Sequence, residues 1–212
     1  MKLTKKLEDR MRIHKNKLFS KDLNELLDSR PELNVVNYRN GHIEITNSFV
    51  AVRAKDVLEE KDHIENNSFT KQDKMDKIFD IDFDPKKDFQ AIIYTKHFED
   101  LTDDLIEKDV VDTLFFNITD FGKNAILTID PKTMDRTVEL KTIVESIETK
   151  GQTKDKSDSV SFILNLNFFN QAMNFFRMLG VKSVSLVIEG PNKPVHLMYK
   201  NIHYVIAPIT NR

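Results

Sequence analysis

Short runs of alternating apolar and polar residues dominate this 212-residue chain, and stretches with helical spacing interrupt them at intervals. Alternation puts every second side chain on one face of a strand. Recurrence at three and four residues marks one face of a helix. Residues 10–19 fit a strand, although the same residues also tolerate a helix. Ser20 then predicts a cap for a short helix, KDLNELLDS, with Leu23, Leu26 and Leu27 on one face. NVVNYR and HIEIT follow as strands joined by Asn40-Gly41, a pair that tolerates positive φ and so favours a tight hairpin. FVAVRA supplies a further strand.

The same order recurs twice. FQAIIYT reads as a strand, and KHFEDLTDDLIEK as a helix with Phe98, Leu101 and Leu105 inward. Three strands follow, DTLFFNI, NAILTID and TVELKTIVESI. SVSFILNL then opens a third segment, whose helix NFFNQAMNFFRML places Phe169, Ala172, Met173 and Phe176 on one face. SVSLVIEG, PVHLMYK and HYVIAPI complete it. The predicted architecture is therefore α+β, built from repeated strand-helix-strand-strand-strand units that begin near residues 11, 89 and 159. The charged stretch at 56–87 lacks a long periodic run and reads as a linker or a degenerate unit, and 151–158 reads as a polar loop.

Composition narrows the chemistry. The chain has no cysteine, which excludes disulfides, a thiolate nucleophile and a thiolate-bound zinc, and fits a reducing, cytoplasmic location. No apolar run is long enough to cross a membrane, and the basic N-terminus lacks the apolar core of a secretory signal. Five glycines leave no phosphate-cradling glycine loop. The net charge of −2 is unevenly spread, with Lys2, Lys5, Lys6, Arg10, Arg12, Lys15, Lys17 and Lys21 crowding the first stretch. Such a basic end suits nucleic acid or a solvated surface. Asp80, Asp82 and Asp84 invite a calcium loop, but its sixth and twelfth positions hold Pro85 and Ala91 rather than Gly and Glu, so an acidic strand edge or turn is expected. The six histidines, including His97, show no metal spacing, and His196 and His203 are expected as a surface pair on a hairpin. The carboxylates Glu99, Asp100, Asp103, Asp104 and Glu107 read as a solvated helix face. Nothing points to an enzyme, a metal or a cofactor.

The last unit carries a more specific pattern: FILNLNFFNQAMNFF, then SLVIEGPNKPVHL, then YVIAPITNR. In order and spacing, residues 160–212 resemble the end of a bacterial-type DNA sliding clamp, the beta subunit of DNA polymerase III. That family has an F-N-x-x-[YF]-like helix start, a GPxKP turn and a terminal strand ending in a proline flanked by apolar residues. Residues 121–147 resemble the preceding half of the same domain, and ITNSFVAVRA at 45–54 resembles the family's ATDxHRLA strand, with Asn47 in place of the Asp. Thr210 stands where the family has its final basic residue.

The resemblance implies a clamp-like N-terminal part at 1–84, half or degenerate, and a C-terminal clamp domain at 85–212. It implies a shortened clamp of the kind expected in a phage or mobile-element replication system. Such a protein would encircle duplex DNA as a homo-oligomeric ring without reading its sequence. It would engage a DNA polymerase and a clamp loader through short hydrophobic peptides. By the same resemblance, Thr46, Ser48, Phe49, Val205, Ala207, Pro208 and Ile209 would line a peptide-binding cleft, and Lys5, Lys6, Arg10, Lys21 and Arg177 would face DNA. The polar face of the third helix holds Asn167, Asn170, Gln171 and Asn174 beside the single charge of Arg177, and the second helix is acidic. These features point to an alternative, a clamp-like protein-binding module that does not encircle DNA.

Overall fold

Burial alternates along some strands of the computed structural model and is continuous along others. It describes residues 2–18, 33, 36–39, 41–55, 72–81, 88–98, 111–119, 124–133, 143–149, 159–190 and 192–210. These form two compact units: Met1–Ile81 with Met198–Val205, and Asp82–Leu197 with Ile206–Arg212.

The first unit opens with helix α1 (Lys2–Leu18). Leu7, Met11, His14 and Leu18 are buried along one face of it, so residues 10–18 take the helical alternative rather than the strand. Strands β1 (Asn37–Arg39) and β2 (His42–Thr46) pair antiparallel with Arg39 opposite His42, and Gly41 takes the positive φ of 76° that the Asn-Gly turn requires. β3 (Val50–Ala54) pairs with β2 in register Ile45 to Val52. A second helix, α2 (Gln72–Phe79), lies within the stretch read as a linker. An eight-residue helix carries too short a period to stand out among that many charges. The sheet order is β1-β2-β3-β11, the last strand being β11 (Ile202–Ile206).

The sheet of the first unit is covered on both faces. Tyr38 and Tyr204 meet α1, while their chain neighbours Arg39 and His203 meet α2. Successive side chains of a strand point to opposite faces, so the two helices lie on opposite sides. This is why all five residues of β11 are buried. His203 is 6% and His196 2% exposed, so neither belongs to the surface pair that alternation predicts.

The second unit contains β4 (Phe89–Tyr94), a short 3-10 turn at Thr95–Phe98, β5 (Val111–Thr119), β6 (Asn124–Thr133), β7 (Ile143–Thr149), β8 (Val160–Asn165), α3 (Leu166–Met178), β9 (Ser183–Ile188) and β10 (Val195–Tyr199). The order is β10-β9-β4-β7-β6-β5-β8. Each opening strand crosses to the other repeat: β4 pairs with β9, and β8 with β5. The repeated units are thus interlocked. Phe169 of α3 seats the core, edge-on to Phe98 at 5.1 Å and to Phe116 at 5.0 Å, while Phe116 stacks on Phe162. The predicted helix KDLNELLDS, the acidic residues 99–107 and Asp82 and Asp84 lie outside the described residues.

Candidate functional site

The turn between β2 and β3 is built by side chains. Asn47 Oδ1 accepts from the N–H groups of Phe49 at 3.0 Å and Val50 at 2.7 Å. This is the local hydrogen bonding that favours Asn in turns. Its Nδ2 donates to the Leu18 carbonyl at 3.1 Å, which ties the turn to the end of α1. Thr46 Oγ1 donates to the Val50 carbonyl at 2.7 Å and accepts from Ser48 N at 3.2 Å. Thr46 is therefore an internal brace. Ser48 sits at φ 77° and is exposed, and Phe49 is 46% exposed. An apolar ring on a braced turn is available for contact without ordering cost.

Val205, in the same unit, is 2% exposed and packs with Ala51 beneath Met75, Ile78 and Phe79 of α2. In the second unit, Ala207 and Pro208 are half-buried and Ile209 is 37% exposed. Ile209 N donates to the Ile163 carbonyl of β8 at 2.9 Å, so the tail is anchored almost to its end. Pro208, without an N–H, precedes that bond and asks nothing of the ladder.

A charged cluster that the sequence reading missed lies on the α2 side of the first unit. Arg53 Nε donates to Glu44 Oε1 at 2.5 Å, and Arg39 Nη2 reaches the same oxygen at 3.4 Å. Asp76 of α2 accepts from Arg39 at 2.9 and 2.7 Å and from Arg53 at 2.6 Å. The Arg53 guanidinium also lies 4.2 Å from the centre of the Phe79 ring. The hydrogen bonds from Arg39 lead in holding the Asp76 carboxyl down at about 2, and the same bonds raise Arg39. Glu44 faces Arg53 across the β2–β3 ladder, a signal readable once the register is known; nothing in the sequence points to Asp76.

The cationic candidates are spread. Lys6 is exposed and Arg10 half-buried on α1; the Lys5 side chain and all of Lys21 lie outside the described residues. Arg12 of α1 is engaged, donating to Glu8 at 2.9 Å and to Tyr38 Oη at 2.8 Å. On α3, Arg177 donates to Asn174 Oδ1, and Asn174 Nδ2 donates to Asn170 Oδ1 at 2.9 Å. The polar face of α3 is an amide ladder that ends in one guanidinium. Among the described residues no group of His, Asp and Glu is placed to hold a metal ion, and no helix is long and apolar enough to cross a membrane.

Solved structures similar to this chain include DNA polymerase clamps. The beta subunit from the DNA polymerase of Streptococcus pyogenes matches with TM-score 0.56 at 11% identity, over 95% of this chain and 64% of that one. The DNA polymerase sliding clamp of Bacillus subtilis matches with TM-score 0.58 at 11% identity, over 97% and 63%. The DNA polymerase III subunit beta of Borrelia burgdorferi, solved in complex with a natural product, matches with TM-score 0.60 at 12% identity, over 98% and 62%. The chain has the sliding-clamp fold. It spans less than two thirds of the length of those clamps. No protein family matches the sequence, and no curated protein does.

The motifs that resemble clamps occupy structural positions in this sliding-clamp fold. Asn165 caps α3 by accepting from Phe168 N at 3.2 Å. The GPNKP segment joins β9 to β10, with Gly190 at φ 156° and its carbonyl accepting from Lys193 N at 3.2 Å. Only glycine adopts that backbone readily.

Proposed function

We propose that this chain is a sliding clamp, a processivity factor that assembles as a ring of identical copies around duplex DNA and tethers a polymerase. The observation that carries the reading is the clamp fold itself, matched over 95–98% of the chain. Ring closure holds DNA topologically, so only weak, sequence-independent attraction to phosphate is needed. Lys6 and Arg10 on α1, with Lys5, Lys21 and Arg177, supply that attraction. Polymerase and clamp loader dock through short hydrophobic peptides. Accessible contacts are Ser48 and Phe49 on the first unit, braced by Thr46, and Ala207, Pro208 and Ile209 on the second; Val205 supports β11 from within.

Light scattering across protein concentrations, followed by retention on circular and linear DNA, tests the ring. A multimer retained on circles and lost when they are cut supports it; a monomer at every concentration removes it. Replacing Pro208 with Ala and Ile209 with Asp should abolish binding of an apolar polymerase-derived peptide, and unchanged affinity would remove the tail from the docking surface.

The amide-rich face of α3 favours a second reading, a clamp-fold module that binds protein peptides and does not encircle DNA. It expects peptide binding to survive in a monomer that circular DNA does not retain.

A further inference from the structure

Helix α2 covers a patch of the first unit in an unusual way. Met75, Ile78 and Phe79 pack on Ala51 and Val205. Between them, Asp76 bridges Arg39 and Arg53. The helix has only eight residues, a length that is marginal without tertiary contacts. Its aspartate is the accessible member of the cluster: the Asp76 side chain is 46% exposed, against 10% for Arg39, 6% for Arg53 and 0% for Glu44. Lifting α2 away would leave two guanidinium groups facing one carboxylate, and Glu44 Oε2 has no hydrogen-bond partner among the described residues. Two guanidinium groups against one carboxylate favour a second carboxylate in that place. Beside it lies the apolar floor of Ala51 and Val205.

We infer that α2 is a displaceable cover. It occupies, from the chain's own sequence, a docking surface of the first unit for a partner's helical peptide that carries a carboxylate between large apolar side chains. The argument for that occupant is complementarity, because the surface already holds one such segment and presents two arginines to its aspartate. Binding of the partner then trades places with α2, and the surface stays closed until the partner is present. The device does not depend on DNA being encircled.

Hydrogen exchange on the full chain tests the cover, and a synthetic QDKMDKIF peptide tests the surface. Asp76→Asn should speed exchange across residues 72–79 by about tenfold, given the loss of a charged partner to two arginines. Exchange in α1, β2 and β3 should be unchanged, and Asp76→Glu should behave like the wild type. The labelled peptide should bind the Asp76→Asn chain saturably and about tenfold more tightly than the wild type. The same peptide with Asn for its second aspartate should not bind. Unchanged exchange at 72–79, or acceleration of α1 and β3 together with α2, would overturn the cover. Absence of peptide binding to Asp76→Asn, or equal binding to both proteins, would overturn the docking surface. Ring mass and DNA retention are read separately, so failure here is distinguishable from failure of the clamp role.

Discussion

At the scale of single residues, burial of polar side chains sets how the first unit answers to pH. His14 Nε2 and Tyr204 Oη lie 3.0 Å apart in a hydrogen bond inside the unit. Burial, with a smaller contribution from Lys17, pushes the His14 pKa down to about 3. His196, in the second unit, is held at about 4 by burial alone. In both, the unfolded chain binds the proton first, so stability is full above the ordinary histidine value of 6.5 and is lost as pH falls towards the folded values. Each such histidine costs up to about 1.4 kcal/mol per pH unit inside its window. Urea midpoints measured from neutral pH downwards should therefore fall below about pH 6.5. His14→Phe should start about 1–3 kcal/mol less stable at neutral pH, because the hydrogen bond to Tyr204 is lost, yet lose less on acidification. Asn47→Ala should cost about 2–3 kcal/mol by the same urea assay, since two backbone donors and the Leu18 carbonyl lose their partner.

At the scale of elements, α3 is specified at both ends. Asn165 caps its start. Its finish uses Gly180 at φ 75°, with Gly180 N donating to Arg177 O at 2.8 Å and Val181 N to Phe176 O at 3.0 Å. A Cβ on Gly180 would meet nothing within 4 Å. Gly180→Ala should thus cost only the backbone term, about 1–2 kcal/mol in thermal or urea unfolding. Phe169→Ala, which empties the junction of Phe98 and Phe116, should cost about 3–5 kcal/mol. Helix α2 stands at the other extreme, held among its described side chains by three apolar groups and one carboxylate. Because the Asp76 pKa is depressed to about 2, the stability from its ion pairs is full above the ordinary aspartate value of 3.8 and is lost as pH falls through about 2. Exchange at 72–79, corrected for intrinsic rates, should therefore hardly change between about pH 5 and 8 through this group.

At the scale of the whole molecule, the proposed clamp role carries an electrostatic signature. DNA affinity falls with salt in proportion to the phosphates neutralised. α3 offers amides and one engaged arginine, so in the proposed role Lys6 and Arg10 of α1 are the candidate DNA contacts with described side chains that remain. The slope of log affinity against log salt should be shallow, about −1 to −3, and Lys6→Glu with Arg10→Glu should flatten it further. A slope near −10 would place many more cations on DNA than the described helices present.

Much of this fold was legible in the order of residues. Period-two alternation locates the strands of the second unit, the Asn-Gly pair locates the β1–β2 hairpin, and the spacing of Phe169, Ala172, Met173 and Phe176 locates α3. Each is a local signal, settled by sterics and hydrogen bonds within a few residues. The resemblance at 160–212 likewise marks a helix start, a glycine turn and an apolar tail. Sequence alone left residues 10–19 open between strand and helix, since Met11, His14 and Leu18 show their common face only once they are buried together on α1. It could not reveal that α2 seals the far side of β11, that His196 and His203 are buried, or that Asp76 meets Arg39 and Arg53. Those contacts join residues 23 or more positions apart. Which pairs meet is decided by how helices and sheet stack, because burial and charge pairing act through space rather than along the chain.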